Sequence, residues 1–151
     1  MQIRPYREQD FEALYRLDQR CYPPGIAYSR FALHAFLSER GAQAFVAEEE
    51  SALVGFVLAR QMSAGRGHII TLDVEEAHRR RGLGTALLAA AERWLAAQGV
   101  ARVRLETATD NHPAVAFWQK AGYRLRRVLR GYYLGRLDAY EMEKELTAPA
   151  Q

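Results

Sequence analysis

Cysteine is almost missing from this sequence: Cys21 stands alone, which excludes an internal disulfide and any cysteine-built zinc site. A reducing compartment suits such a chain, and no metal is expected. Long apolar runs are missing too. None approaches the ~18 residues that a membrane span requires, and the start Met1-Gln2-Ile3-Arg4-Pro5 lacks the apolar core of a signal peptide. The expectation is a soluble, cytoplasmic protein with no membrane partner. A surplus of one charge is scarce as well: 21 basic against 18 acidic side chains leave a formal +3, even though the pI is 9.2. Such a balance argues against a nucleic-acid-binding module, which would rely on a strong basic surplus and show steep salt dependence. Repeats, low-complexity tracts and interdomain linkers are also absent. What remains is 151 residues with 49% hydrophobic and 26% charged side chains, enough for a real core and expected to form one domain over 1–151.

Periodicity divides the chain into alternating elements. Ile3 to Tyr6 reads as a first strand, and Asp10 to Cys21 as a helix with Phe11, Leu14, Tyr15 and Leu17 at helical spacing, ended by Pro23-Pro24-Gly25. Ser29 is a suitable N-cap for a second helix that turns Phe31, Ala35 and Phe36 inward and stops near Arg40-Gly41. Two strands, Ala44 to Ala47 and Leu53 to Leu58, flank a hairpin turn at Glu48 to Ser51. His68 to Val74 is strand-like. Gly82 to Gln98 then carries Leu83, Leu87, Ala90 and Trp94 along one helical stripe. Because Val103 to Thr107 follows that helix, it should pair parallel to His68–Val74. Asp110-Asn111 caps a short helix with Ala114, Phe117 and Trp118 on one side, and strands at Tyr123 to Leu129 and Leu137 to Glu145 follow. Gly131 and Gly135 place Tyr132-Tyr133 in an irregular loop.

The segment Arg79-Arg80-Arg81-Gly82-Leu83-Gly84-Thr85 carries the clearest chemistry. A glycine-rich turn entering a helix presents unpaired N–H groups at the positive end of the helix dipole, where a phosphate fits. The arginines add charge-assisted donors, and Thr85 a hydroxyl. The dinucleotide fingerprint fails because Leu87 stands where a small residue is needed, and the ATP-type loop fails because Gly84-Thr85-Ala86 has no lysine. The alternative is an ordinary basic loop before an amphipathic helix. A second arginine cluster, Arg124, Arg126, Arg127 and Arg130, reads more simply as solvated surface.

Arg79, Gly82 and Gly84 match the signature Gln/Arg-x-x-Gly-x-Gly/Ala, and Asn111, Ala114, Phe117 and Gly122 match a second one, Asn-x-x-Ala-x-x-Phe/Leu-Tyr-x-x-x-Gly-Phe. In both, in this order and over nearly the whole chain, the sequence resembles the GNAT superfamily of acyl-CoA N-acyltransferases. His68 to Leu72, Leu105-Glu106-Thr107 and Arg130-Gly131-Tyr132-Tyr133 make it most like the N-terminal protein acetyltransferases, including those for ribosomal-protein alanine. The resemblance implies a mixed α/β (α+β) fold: a mostly antiparallel sheet, one parallel pair splayed at the acetyl-CoA site, and about four helices. It implies acetyl-CoA as cosubstrate. Backbone groups of Leu72, Asp73 and Val74 would meet its pantetheine arm, Arg79 to Thr85 its pyrophosphate, and Asn111, Ala114, Phe117, Trp118 and Lys120 the rest.

The implied reaction is direct acetyl transfer to a primary amine, expected to be the α-amino group of a peptide or protein N-terminus. A free α-amine has pKa roughly 8, so a base is useful at neutral pH. Glu106 is the first candidate and His68 the second; Glu106 could instead merely pair with Arg104 on its own face. Trp118 departs from the family, which commonly has tyrosine there as the acid for the leaving thiolate. Indole does not ionise usefully, so Tyr123, Tyr132 or Tyr133 substitutes, or the thiolate leaves unassisted. Tyr132 and Tyr133 would also clamp a peptide. A small-molecule amine acceptor and a non-catalytic acyl-CoA-binding module are the competing readings. Either a monomer or a homodimer fits them.

Overall fold

The computed structural model describes residues 1–146. β1 (Gln2–Pro5), β2 (Ala42–Glu49), β3 (Ala52–Gln61), β4 (Arg66–Val74), β5 (Arg102–Ala108), β6 (Arg124–Tyr133) and β7 (Leu137–Glu145) form a seven-stranded sheet in the order β1-β2-β3-β4-β5-β7-β6. Its central strands are apolar on both sides because helices cover both: Val54 to Ala59 of β3 are buried without a break. β2 continues to Glu49, so the turn is only Glu50-Ser51, both at positive φ, the backbone a two-residue hairpin requires.

Every neighbouring pair is antiparallel except β4 with β5, which the intervening helix forces to run parallel. That pairing extends over Arg66↔Arg102, Gly67↔Val103 and His68↔Arg104 only; beyond His68 the strands separate. The expected splayed parallel pair is therefore present.

Helices α1 (Phe11–Cys21) and α2 (Arg30–Ser38) cover one face, where Leu14, Leu17 and Leu33 pack on Ala44, Val46, Phe56 and Leu58. Ser29 caps α2 through the Ala32 amide at 3.1 Å. The inward stripe is Leu33 with Phe36 and Leu37, so the expectation for Phe31 and Ala35 was wrong: both are exposed, Phe31 by 85%. Phe31 lies two residues, about 200°, from Leu33 on the helix. Helices α3 (Leu83–Ala97) and α4 (His112–Lys120) cover the other face, with Leu87, Leu88, Ala91 and Leu95 against Val57, Ile69, Val103 and Leu105. α1 and α2 lie over β2 to β4, so among the described residues the same face of β5, β7 and β6 carries no helix. β6 runs on to Tyr133, which corrects the loop expected there; a break in register between Leu129 and Tyr133, with Gly131 at positive φ, absorbs the irregularity.

Candidate active site

The separation of β4 from β5 leaves one edge of β4 without a strand partner. Glu75 N donates to Val54 O beside the Gly55↔Val74 pair, so the polar groups of Val74, and of Leu72 two residues earlier, turn away from β3 into the gap. Side chains reach their carbonyls instead. Tyr22 Oη donates to Leu72 O at 3.0 Å, Tyr28 Oη to Ile70 O at 3.4 Å, and Arg79 Nε to Val74 O at 3.0 Å. Asp73 differs from its neighbours: it is registered opposite Phe56 in the β3–β4 ladder and its carboxyl is buried. Only Leu72 and Val74 of that expected trio face the gap.

At the end of this gap stands the start of α3. Arg79 is extended, and Arg80 and Gly82 take positive φ, which folds the chain into a concave turn before Leu83. No side chain caps the helix. The amides of Leu83, Gly84 and Thr85 lie in its first turn, where α-helical N–H groups lack an intrahelical acceptor. Arg80, Arg81, Gly82 and Thr85 are exposed, while the Leu83 side chain is buried in the core and leaves only its backbone to the cradle. Arg79 folds back towards Val74 O and Cys21. A Cβ at Gly84 would stand 3.3 Å from the Phe117 ring, so this glycine lets α4 approach the cradle. Asn111 caps α4 through the Ala114 amide at 3.2 Å; Ala114 and Phe117 are half-buried and Lys120 exposed.

Trp118 does not join them. Its ring packs edge-on against Phe117 and Tyr123, is 7% exposed and belongs to the core. Tyr123 is buried and donates to Glu92 at 2.8 Å; burial first, and then the Glu92 charge, push its phenol far up. Its hydroxyl is committed to Glu92.

The two candidate bases are brought together. His68, the last β4 residue paired with β5, places Nε2 2.7 Å from Glu106 Oε1, and both side chains are largely buried. Arg104 Nε is 3.8 Å from the other oxygen, so Glu106 pairs mainly with His68 and only loosely with Arg104. His68 Nδ1 is buried and has no partner among the described residues. Tyr132 Oη lies 3.5 Å from Glu106 Oε1, and the Tyr133 ring meets Tyr132 edge-on with centroids 4.9 Å apart. Burial and the Glu106 charge raise the Tyr132 phenol, which stays protonated at neutral pH.

Three residues that the sequence pattern does not single out complete the surroundings. Asp18 Oδ2 accepts from Tyr28 N at 2.8 Å, and its carboxyl meets that of Asp73, which accepts from Thr71 Oγ1 at 2.7 Å. Both carboxyls are raised, by burial first, and Asp73 further by the charge of Asp18. One signal was available, since Asp18 follows Leu14 by four residues on the apolar stripe of α1. Tyr22 and Tyr28, whose hydroxyls reach the β4 carbonyls, carry no comparable mark.

Comparison with known proteins agrees with this geometry. Residues 11–123 match the Acetyltransferase (GNAT) family. A protein of Sulfurisphaera tokodaii named N-alpha-acetyltransferase is 31% identical over 156 aligned residues, covering 95% of this chain and 92% of that one. The crystal structure of Ard1 from Thermoplasma volcanium is 28% identical with a TM-score of 0.86, over 97% of each chain. The ribosomal-protein-S18-alanine N-acetyltransferase of Escherichia coli shares the fold, with a TM-score of 0.87 at 23% identity over 99% of this chain and 96% of that one. A sheet splayed at one parallel pair, a glycine turn at its mouth and a match over well over half of its 151 residues place one conclusion beyond the fold: this chain belongs to the GNAT family of acetyltransferases.

Proposed function

We propose that this enzyme transfers acetyl from acetyl-CoA directly to the α-amino group of a peptide or protein N-terminus. The observation that carries this reading is the His68–Glu106 contact of 2.7 Å, set where β4 and β5 begin to part and beside Tyr132. The residues fit the donor: the free edge of β4 at Leu72 and Val74 suits an amide-bearing arm, and the uncapped start of α3 suits a pyrophosphate. Amides of Leu83, Gly84 and Thr85, with Arg80, Arg81 and the Thr85 hydroxyl, would hold the phosphates. Asn111, Ala114, Phe117 and Lys120 would line the remainder.

Bound acetyl-CoA supplies an acetyl thioester, whose C–S bond breaks as the C–N bond to the acceptor forms. The chain must take a proton from the amine. Glu106, kept ionised, accepts from His68 Nε2–H, and this tautomer leaves Nδ1 as the basic nitrogen of the ring. Glu106 orients and His68 receives the proton, which reverses the order in which the sequence ranks them. With Trp118 and Tyr123 in the core, no protein acid is required for the leaving group, because a thiol of pKa roughly 8.5 departs readily near neutrality. Tyr28 and Tyr132, raised and protonated, serve as neutral walls and donors for the acceptor. The lone, half-buried Cys21 suits a reducing cytoplasm.

Peptides with free N-termini, the same peptides with blocked N-termini, and small amines, each incubated with acetyl-CoA while free thiol is measured, test this reading. Turnover of free-N-terminal peptides alone is expected; turnover of small amines alone overturns it.

A further inference from the structure

The helix-free face of β5, β7 and β6, with the adjoining end of β4, is covered with charge. Three rows cross it: Arg66, Arg102 and Glu145; His68, Arg104, Glu143 and Arg124; Glu106, Glu141 and Arg127. A groove on this face is lined by Arg66, Arg102, Arg104, Arg126 and Arg127 against two carboxylates, Glu141 and Glu143. Glu141 is buried at 5% exposure and takes up the charge of Arg126 and Arg127 at 3.4 and 3.1 Å. Arg102 already pairs with Glu143 and Glu145 at 3.6 and 3.4 Å, and two other arginines are left with spare donors. Arg66 has no carboxylate partner among the described residues, and Arg104 Nε is buried without a hydrogen bond, 3.8 Å from Glu106. The groove therefore begins beside the His68–Glu106 contact and carries unspent positive charge away from it.

We infer that this groove receives acidic side chains of the acceptor polypeptide, a few residues beyond the amino group that is acetylated. The inference rests on the N-terminal acceptor reading. Its register follows from strand geometry. Arg102 precedes Glu106 by four residues on β5, about 13 Å at ~3.3 Å per residue, which an extended acceptor covers in about four residues. Side chains at about the third to fifth acceptor positions then reach Arg104, Arg102 and Arg66. Glu141 and Glu143 would repel a continuous phosphate backbone, whereas separate carboxylates can bind between them.

The test is a set of peptides that share their first two residues and carry Asp/Glu, Asn/Gln or Lys at positions three to five. Acidic peptides are expected to show kcat/KM about 3- to 10-fold above the neutral ones at low salt, through KM, with the gap closing as salt rises. Arg66→Glu and, separately, Arg102→Gln should abolish the preference. Unchanged thermal unfolding and an unchanged KM for acetyl-CoA verify the folding of both variants. Equal rates for acidic and neutral peptides, or a preference that survives both variants, overturn the inference and leave N-terminal acetylation standing. A complete lack of peptide turnover overturns both. Salt-sensitive binding of a short RNA that Arg66→Glu removes, with no peptide preference, would make the face a nucleic-acid surface and also overturn it.

Discussion

Burial alone would push the Glu106 carboxyl up, yet the His68 hydrogen bond and the charge of Arg104 hold it below the ordinary glutamate value. A carboxylate so held stays charged at neutral pH and fixes the His68 tautomer rather than acting as a strong base itself. Glu106→Gln keeps the shape and removes the charge. At pH 7 it should lower kcat/KM by about 10²-fold with the KM for acetyl-CoA unchanged. At pH 9, where more acceptor amine is already neutral, the loss should shrink to a few-fold; equal losses at both pH values would exclude this role. A different residue reports on the gap beside β4. Cys21 is pushed up to about 11 by burial first and then by the Asp73 charge, which outweigh Arg79. Its thiol should react with iodoacetamide at pH 8 at less than about a tenth of the rate in the urea-unfolded chain. Fast labelling of the native protein would mean that the end of α1 opens away from β4.

The start of α3 and the connection from α1 to α2 are the elements that shape the two halves of the site. Gly84→Val places new atoms against Phe117 and beside the free amides, so acetyl-CoA binding should weaken by more than about 10-fold in calorimetry. Retained affinity would show that the pyrophosphate is held elsewhere. Asp18→Ala removes the acceptor of the Tyr28 amide and frees the loop that carries the Tyr28 ring. Acceptor KM should rise about 3- to 10-fold with little change in KM for acetyl-CoA, and the opposite split would place that loop on the donor side. Much of this was legible in the sequence because it depends on local rules. Gly82 and Gly84 before a helical stripe, the Asn111 cap, and the parallel pairing of Val103–Thr107 after a helix each follow from a few neighbouring residues. The misses were non-local. Phe31 looked inward because α2 is too short to fix its phase without knowing that Leu33 meets Phe56 across the interface. The burial of the Trp118 ring depends on Tyr123, which packs against it from beyond the end of α4. The meeting of His68 with Glu106 depends on how β4 and β5 are registered, and that follows from the whole crossover.

Across the whole molecule, ionisable groups act on stability in opposite senses. Asp10, held below the usual carboxylate range by its hydrogen bonds to Arg4, and Glu106 contribute stability that is present above their unfolded values and lost as pH falls through their folded ones. Asp18 and Asp73 act the other way. Burial of both, and the charge of Asp18 on Asp73, favours the protonated form, so the native pair holds a proton after the unfolded chain has released it. Since the native state then binds more protons than the unfolded one, stability falls as pH rises from the unfolded value of about 4 towards the raised native one. Asp73→Asn supplies a permanent N–H where the shared proton sits, and still offers Thr71 an acceptor. Urea unfolding of both proteins at pH 5, 7 and 9 should show the variant gaining on the wild type as pH rises, by at most about 1.4 kcal/mol per pH unit within that window. A difference that stays constant with pH would mean that the pair is already ionised in the native protein. Its place between α1 and β4 would then need a cation to balance two buried charges.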